Sequence, residues 1–222
     1  RVEAWEETLL DSIVTFNKLL KPDGSYDEAV AYANYAMTHQ VMAMEVVKRK
    51  RGIDFFDSAN FQGLMDYVLS LYLPNSLDKY GSVSFGDANR TMASSTAFWV
   101  AANARDGRSQ FIGLNYSPHD LFSFLHYDDS VKPIVPDAAT HFVKLDLDWI
   151  VLRDGYEMDD LVLAMRSGLP ANHEHADRNS IQFKALGEIL LADHTKLNYS
   201  ADSAEWKLRG SIGHNTVLID GL

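Results

Sequence analysis

Residues 172–193, NHEHADRNSIQFKALGEILLAD, read together with His214-Asn215-Thr216 further on, decide how the chain folds. His173 and His175 are two apart, so on a strand both side chains leave one face. Asp193 closes the apolar run Ile189-Leu190-Leu191-Ala192, and His214 opens another, Val217-Leu218-Ile219. Two nitrogens and one oxygen brought together from three strand ends suit a divalent ion such as zinc, with a fourth position left for water. Surface histidines near loops are the plainer alternative. Against it, ionisable groups that interrupt apolar strands are costly to bury without a partner.

Around this stretch the apolar period is two. Residues 141–152 alternate as one strand up to the turn pair Asp154-Gly155, and 161–165 and 180–186 continue the pattern. Upstream the period is helical. Residues 5–20 carry Leu9, Leu10, Ile13, Val14, Phe16 and Leu20 at helical spacing. Ser25-Tyr26-Asp27-Glu28 has the form of a capping box, opening a helix that runs to about Val47 and stops at Gly52. Residues 61–73 and 89–104 predict two more helices, and 111–125 a short one after Ser117-Pro118. Residues 128–139, with Pro133 and Pro136, form the natural linker, which divides a helical part, 1–127, from a strand part, 140–222. The strand part has too few strands to close its sheet, so the sequence reads as a piece of a longer protein.

The 222 residues are 46% hydrophobic, ample for a sizeable core, and contain no cysteine, which excludes disulfides and thiolate metal sites. Net charge is −11, and the one basic run, Lys48-Arg49-Lys50-Arg51, suits a helix C-terminus better than a nucleic acid. There is no apolar run long enough for a membrane span, and RVEAWEETLL lacks the pattern of a signal peptide.

A second group lies on the long helix. Glu28, Tyr32, Tyr35 and His39 follow one another at helical spacing and share a stripe, which Met42 and Val46 continue as core. The plainer alternative makes Glu28 the closing residue of the capping box and the tyrosines helix contacts. An acid, two phenols and an imidazole are nevertheless more hydrogen-bonding capacity than a core usually carries, which points to the lining of a cleft.

These residues carry a resemblance. Pro22-Asp23-Gly24-Ser25-Tyr26-x-Glu28-x-x-x-Tyr32-x-x-Tyr35 resembles the helix start that bears the catalytic tyrosine in heparinase II/III-type polysaccharide lyases, a family related to oligoalginate lyases. Phe85-Gly86-Asp87, Arg153-Asp154-Gly155, Arg166-Ser167-Gly168, His173-x-His175-x-Asp177-x-Asn179, Gly187-Glu188-x-x-x-x-Asp193 and His214-Asn215-Thr216-Val217 follow in the same order. The resemblance implies an α+β multidomain protein, an incomplete α/α toroid followed by an antiparallel β-sandwich, here truncated at its C-terminal side, with the active site between them. It implies β-elimination on a uronic-acid-containing polysaccharide, heparin- or heparan-sulfate-like or alginate-like, and a periplasmic or secreted location. Tyr32 would be the catalytic tyrosine, with Tyr35 the fallback, and His173 the imidazole facing substrate. Glu28, His39, Arg166 and Tyr199 would line the substrate site. His175, Asp193 and His214 would hold a structural divalent metal, zinc or, as second choice, calcium. Two features depart from the family: no Asn-His pair precedes Glu28, and His194-Thr195 follows Asp193 where glycine is common two residues on. Two rival readings remain, a non-catalytic metal-containing glycan-binding module of the same fold, and a cupin-like metal enzyme. The latter would want a glutamate where Arg178 and Asn179 stand.

Overall fold

A computed structural model describes residues 2–88, 92–137, 142–194 and 197–220. Among the described residues, six α-helices precede an antiparallel sheet, so the chain is of mixed α+β class. The helices are α1 (Val2–Asn17), α2 (Ala29–Arg51), α3 (Phe61–Ser70), α4 (Ser94–Ala104), α5 (Gly107–Asn115) and α6 (Ser123–His126). The strands are β1 (Phe142–Lys144), β2 (Ile150–Arg153), β3 (Val162–Met165), β4 (Ile181–Ala185) and β5 (Glu188–Leu191), paired in sequence order.

Helix α2 ends as its sequence demands. Gly52 takes φ +68° and its amide bonds Lys48 O, a left-handed cap, with four cations in the last turn facing the negative end of the helix dipole. Its start differs from the expected capping box. The helix begins at Ala29, Ser25 Oγ donates to Asp23 at 2.6 Å, and Glu28 makes no capping bond. The buried face of α2 is Val30, Ala33, Met37, Val41, Met44 and Val47. Val46, read as core, is 57% exposed, because the core stripe runs on the other side of the helix from Tyr35 and His39.

The strand expected over 141–152 is two strands. β1 and β2 form a hairpin in which Asp148 takes φ +59° and Leu145 N donates to Trp149 O, while His141 lies outside the described residues. Alternation survives the turn, since Leu145, Leu147 and Trp149 are all buried, which is why the pattern concealed it. The helix expected over 89–104 begins at Ser94; Asn89, Arg90 and Thr91 are outside the described residues. Residues 111–125 hold the end of α5 and, after Ser117-Pro118, most of the expected short helix, α6.

One face of the sheet packs on the helices. Val151, Val162 and Ala164 join a single hydrophobic cluster with Met37, Leu64, Tyr67 and Phe85. Polar residues on that face are paired across the junction: Arg153 donates to the carbonyls of Ser70 and Tyr72 at 2.7 Å each, and Gln182 exchanges bonds with Ser84. Two turns add a reciprocal pair, Asp146 N to Asp23 Oδ2 at 2.7 Å and Asp23 N to Asp146 Oδ2 at 3.2 Å. On the other face, strand register sets Phe142, Leu152, Leu163, Phe183 and Leu191 in one row across all five strands. No helix among the described residues is long and apolar enough to cross a membrane.

Candidate active site

The start of α2 meets the loop 172–177 where the helices join the sheet. Ala29 sits at φ +66° and His173 at φ +53°, left-handed conformations that residues with a Cβ adopt at some cost. Glu28, freed from capping, turns its carboxylate to His173, with Oε2 2.5 Å from Nδ1. One turn along α2, the ring of Tyr32 stacks on the same imidazole, centroids 3.9 Å apart and planes 13° from parallel. Tyr32 Oη is 3.3 Å from Tyr199 Oη, and Tyr199 donates to Asp87. Arg209 lies over the Tyr199 ring at 4.7 Å and reaches the same carboxylate at 3.0 Å.

These contacts place the protons. An ionised carboxylate only accepts, so Nδ1 of His173 carries hydrogen toward Glu28, and in the neutral imidazole the lone pair is then on Nε2. The Asn172 amide, 3.0 Å from Nδ1, cannot donate to it in that tautomer. Burial pushes the Asp87 carboxyl up, but hydrogen bonds from Tyr199, His175 and Arg209 outweigh it and hold the group below the usual carboxylate range. Burial, then the hydrogen bonds to Asp87 and Tyr32, raise the Tyr199 phenol. Tyr199 therefore keeps its proton on Asp87, and its oxygen is left to accept from the Tyr32 hydroxyl.

His173 and His175 were expected on one strand face. They lie on a loop and diverge: His173 faces Glu28 and Tyr32, whereas His175 is buried with Nε2 2.9 Å from Asp87 Oδ1. His214 likewise opens no strand. It follows a 3-10 turn, and Val217 and Ile219 are exposed. Its Nδ1 lies 2.5 Å from Asp193 Oδ1, while Ser180 Oγ donates to Asp193 Oδ2 at 3.0 Å. The other ring nitrogens, His175 Nδ1 and His214 Nε2, are buried without a hydrogen-bond partner, and the two rings are 5.2 Å apart. An imidazole with one nitrogen on a carboxylate and the other unpaired is the form in which histidine binds metal. Burial lowers the His175 pKa against the pull of Asp87; at His214 burial acts the same way, but Asp193 outweighs it and raises the pKa.

Among the described residues, Asp177, Asp193 and His214 offer ligand atoms within 4.8 Å of one another. His175 stands outside that group. Asp177 is near but committed, accepting from Arg166 and from Gly86 N at 2.7 Å. Asp193 and His214 thus stand together with Asp177, and His175, expected as the third ligand, is not among the gathered donors although its Nδ1 is unpaired.

Two expected substrate residues, Arg166 and His39, and the fallback catalytic tyrosine, Tyr35, are placed elsewhere or occupied. Arg166 is 2% exposed and spends its guanidinium on Asp177 and Glu174, so it cannot meet a substrate carboxylate. Tyr35 is 69% exposed and packs on His39, whose Nδ1 lies 2.8 Å from Tyr35 O. Asp87 stands in the sequence reading only within Phe85-Gly86-Asp87, without a role, and Arg209, a lone arginine, carries no spacing signal. A cavity of about 650 Å³, lined by Asp23, Gln62, Asp66 and Tyr156, lies apart from these groups.

No family model and no curated protein matches the sequence. Solved structures do. A heparinase III gene product superposes with TM-score 0.66 at 17% identity, covering 97% of this chain and 32% of that one. The fold is that of heparinase III. The crystal structure titled Heparinase III matches with TM-score 0.65 at 14% identity over 97% of this chain and 34% of that one. Heparan sulfate lyase HepC from Pedobacter heparinus matches with TM-score 0.60 at 17% identity over 91% and 30%. The chain thus spans about a third of the length of these structures with the heparinase III fold.

Proposed function

We propose that the protein cleaves a uronic-acid-containing polysaccharide of the heparan sulfate type by β-elimination, with His173 as base and Tyr32 as acid. The observation that carries this reading is the stacked pair of Tyr32 and His173, with Glu28 on the far edge of the imidazole. Nε2 of His173 takes the C5 proton, the electron pair forms the C4–C5 double bond, the C4–O4 bond breaks, and O4 takes the Tyr32 proton. Free tyrosine has a pKa of about 10, so a neutral phenol donates readily to a departing alkoxide and serves poorly as a base near neutrality. Elimination also requires donors on the uronate carboxylate, so that charge can delocalise into it. The exposed amide of Asn172, beside His173, offers one.

Zinc would be held by His175, Asp193 and His214, two imidazoles and a carboxylate being a softer set than calcium prefers. Its chemistry there is structural, bracing the loop that presents His173. Residues 1–127 would belong to an incomplete α/α toroid and 140–222 to part of a β-sandwich. The apolar row from Phe142 to Leu191 supports a second β layer on the open face of the sheet.

The test is a panel of heparan sulfate, heparin, alginate and other uronate polymers, followed by the ultraviolet absorbance of the unsaturated product. A rise with a uronate polymer, lost in Tyr32→Phe with sugar binding intact, supports the reading. Binding without any product would leave a glycan-binding module.

A further inference from the structure

Asp87 makes four contacts, and they converge on the reacting groups from below. Its carboxylate accepts from Tyr199 Oη, from His175 at 2.9 Å and from Arg209 at 3.0 Å, and its backbone amide donates to the carbonyl of His173 at 3.0 Å. The side chain has no exposed surface. The preceding residue tightens the same junction: Gly86, at φ +65°, donates to Asp177, and a Cβ there would lie 2.9 Å from His173 O.

We infer that Asp87 is a positioning residue for the elimination, fixing the Tyr199 phenol so that its oxygen, not its hydrogen, faces Tyr32. The inference rests on the lyase reading and deepens it. With the Tyr199 hydrogen directed at Asp87, the Tyr32 hydroxyl is oriented by a neighbour that can only accept, and Tyr32 retains its proton until the leaving oxygen takes it. Asparagine at 87 would offer an N–H toward Tyr199 and release that phenol to turn its hydrogen on Tyr32. The same carboxylate holds His175, so one group links the acid of the reaction to the histidine beside the metal donors.

The experiment is a double-mutant cycle on the full protein with Asp87→Asn and Tyr199→Phe, read as kcat and KM on whichever uronate polymer is cleaved. Asp87→Asn is expected to lower kcat about 10- to 100-fold with KM changed less than about twofold, and to cost less than about threefold in the Tyr199→Phe background. Equal losses in both backgrounds overturn the inference, because Asp87 would then act without Tyr199. A second measurement needs no turnover. With ¹³C-labelled tyrosine, Asp87→Asn is expected to shift the ring-hydroxyl carbon resonances of Tyr199 and Tyr32, assigned through their Phe variants. Unmoved resonances overturn the inference whether or not the protein is a lyase. Moved resonances in a protein that cleaves nothing would retain the Asp87–Tyr199 coupling and remove the lyase reading alone.

Discussion

Tyr32, from the second helix, lies flat on the imidazole of His173, from a loop of the strand region, with ring centroids 3.9 Å apart. On the proposed lyase reading, the stack would present the phenol and the imidazole together to one face of a sugar. Tyr32→Phe keeps the ring and removes the hydroxyl. It is expected to cut turnover at least 100-fold, within the usual range for loss of a general acid, while binding of a saturated oligosaccharide followed by calorimetry changes little.

Glu28 acts on the other edge of His173. Glu28→Gln replaces an acceptor with a group that can present N–H to Nδ1, favouring the tautomer that leaves Nε2 protonated. The expected outcome is a loss of about tenfold or more in kcat, with the melting temperature nearly unchanged because the side chain is only partly buried. A variant as active as the wild type would separate Glu28 from the chemistry.

The unpaired nitrogens of His175 and His214 predict a bound ion. Elemental analysis of dialysed protein should recover about one equivalent of zinc, His214→Ala should lose it, and chelation should lower the melting temperature. Well-folded protein free of metal would leave the two histidines as buried polar groups.

Gly86→Ala places a side chain at φ +65° and against His173 O. The strain is expected to cost about 1–2 kcal/mol of stability by denaturant titration, and to lower kcat by displacing the loop that carries His173.

Lys184 is fully buried, its ammonium donating to Glu157 O at 3.1 Å and Met158 O at 2.9 Å, and burial holds its pKa below the ordinary lysine value. The unfolded chain therefore keeps that proton to higher pH than the folded one, and stability rises as pH climbs from the folded pKa toward the ordinary value. Relative to Lys184→Met, the wild type should gain melting temperature as pH rises toward the ordinary lysine value of about 10. A difference that is flat with pH would contradict this assignment.

The helix–strand order was legible because period and punctuation agree, as at Gly52, where a left-handed cap ends α2. Local geometry was not. The hairpin at 145–149 preserves the alternation of a single strand, so periodicity could not reveal it. The sheet face that looks polar in sequence, Arg153, Gln182 and Lys184, is the buried one, because each finds backbone or side-chain partners on the helices or in loops. For the candidate site, spacing grouped Glu28 with Tyr32 and picked out His173 beside His175, and the resemblance gave roles to Tyr32, His173 and Tyr199. It missed that Glu28 binds His173 instead of capping its helix, and that Arg166 is consumed by two acids. Such pairings depend on which loops meet, which a linear pattern does not encode.

The exchange of hydrogen bonds between Asp23 and Asp146 works as a two-point clasp between the turn before α2 and the hairpin of β1 and β2. A clasp of that kind resists rotation as well as separation, so the angle between helices and sheet is fixed near the place where Tyr32 must find His173. Loosening either aspartate would therefore be felt first as poorer alignment of the two rings, before any loss of folding.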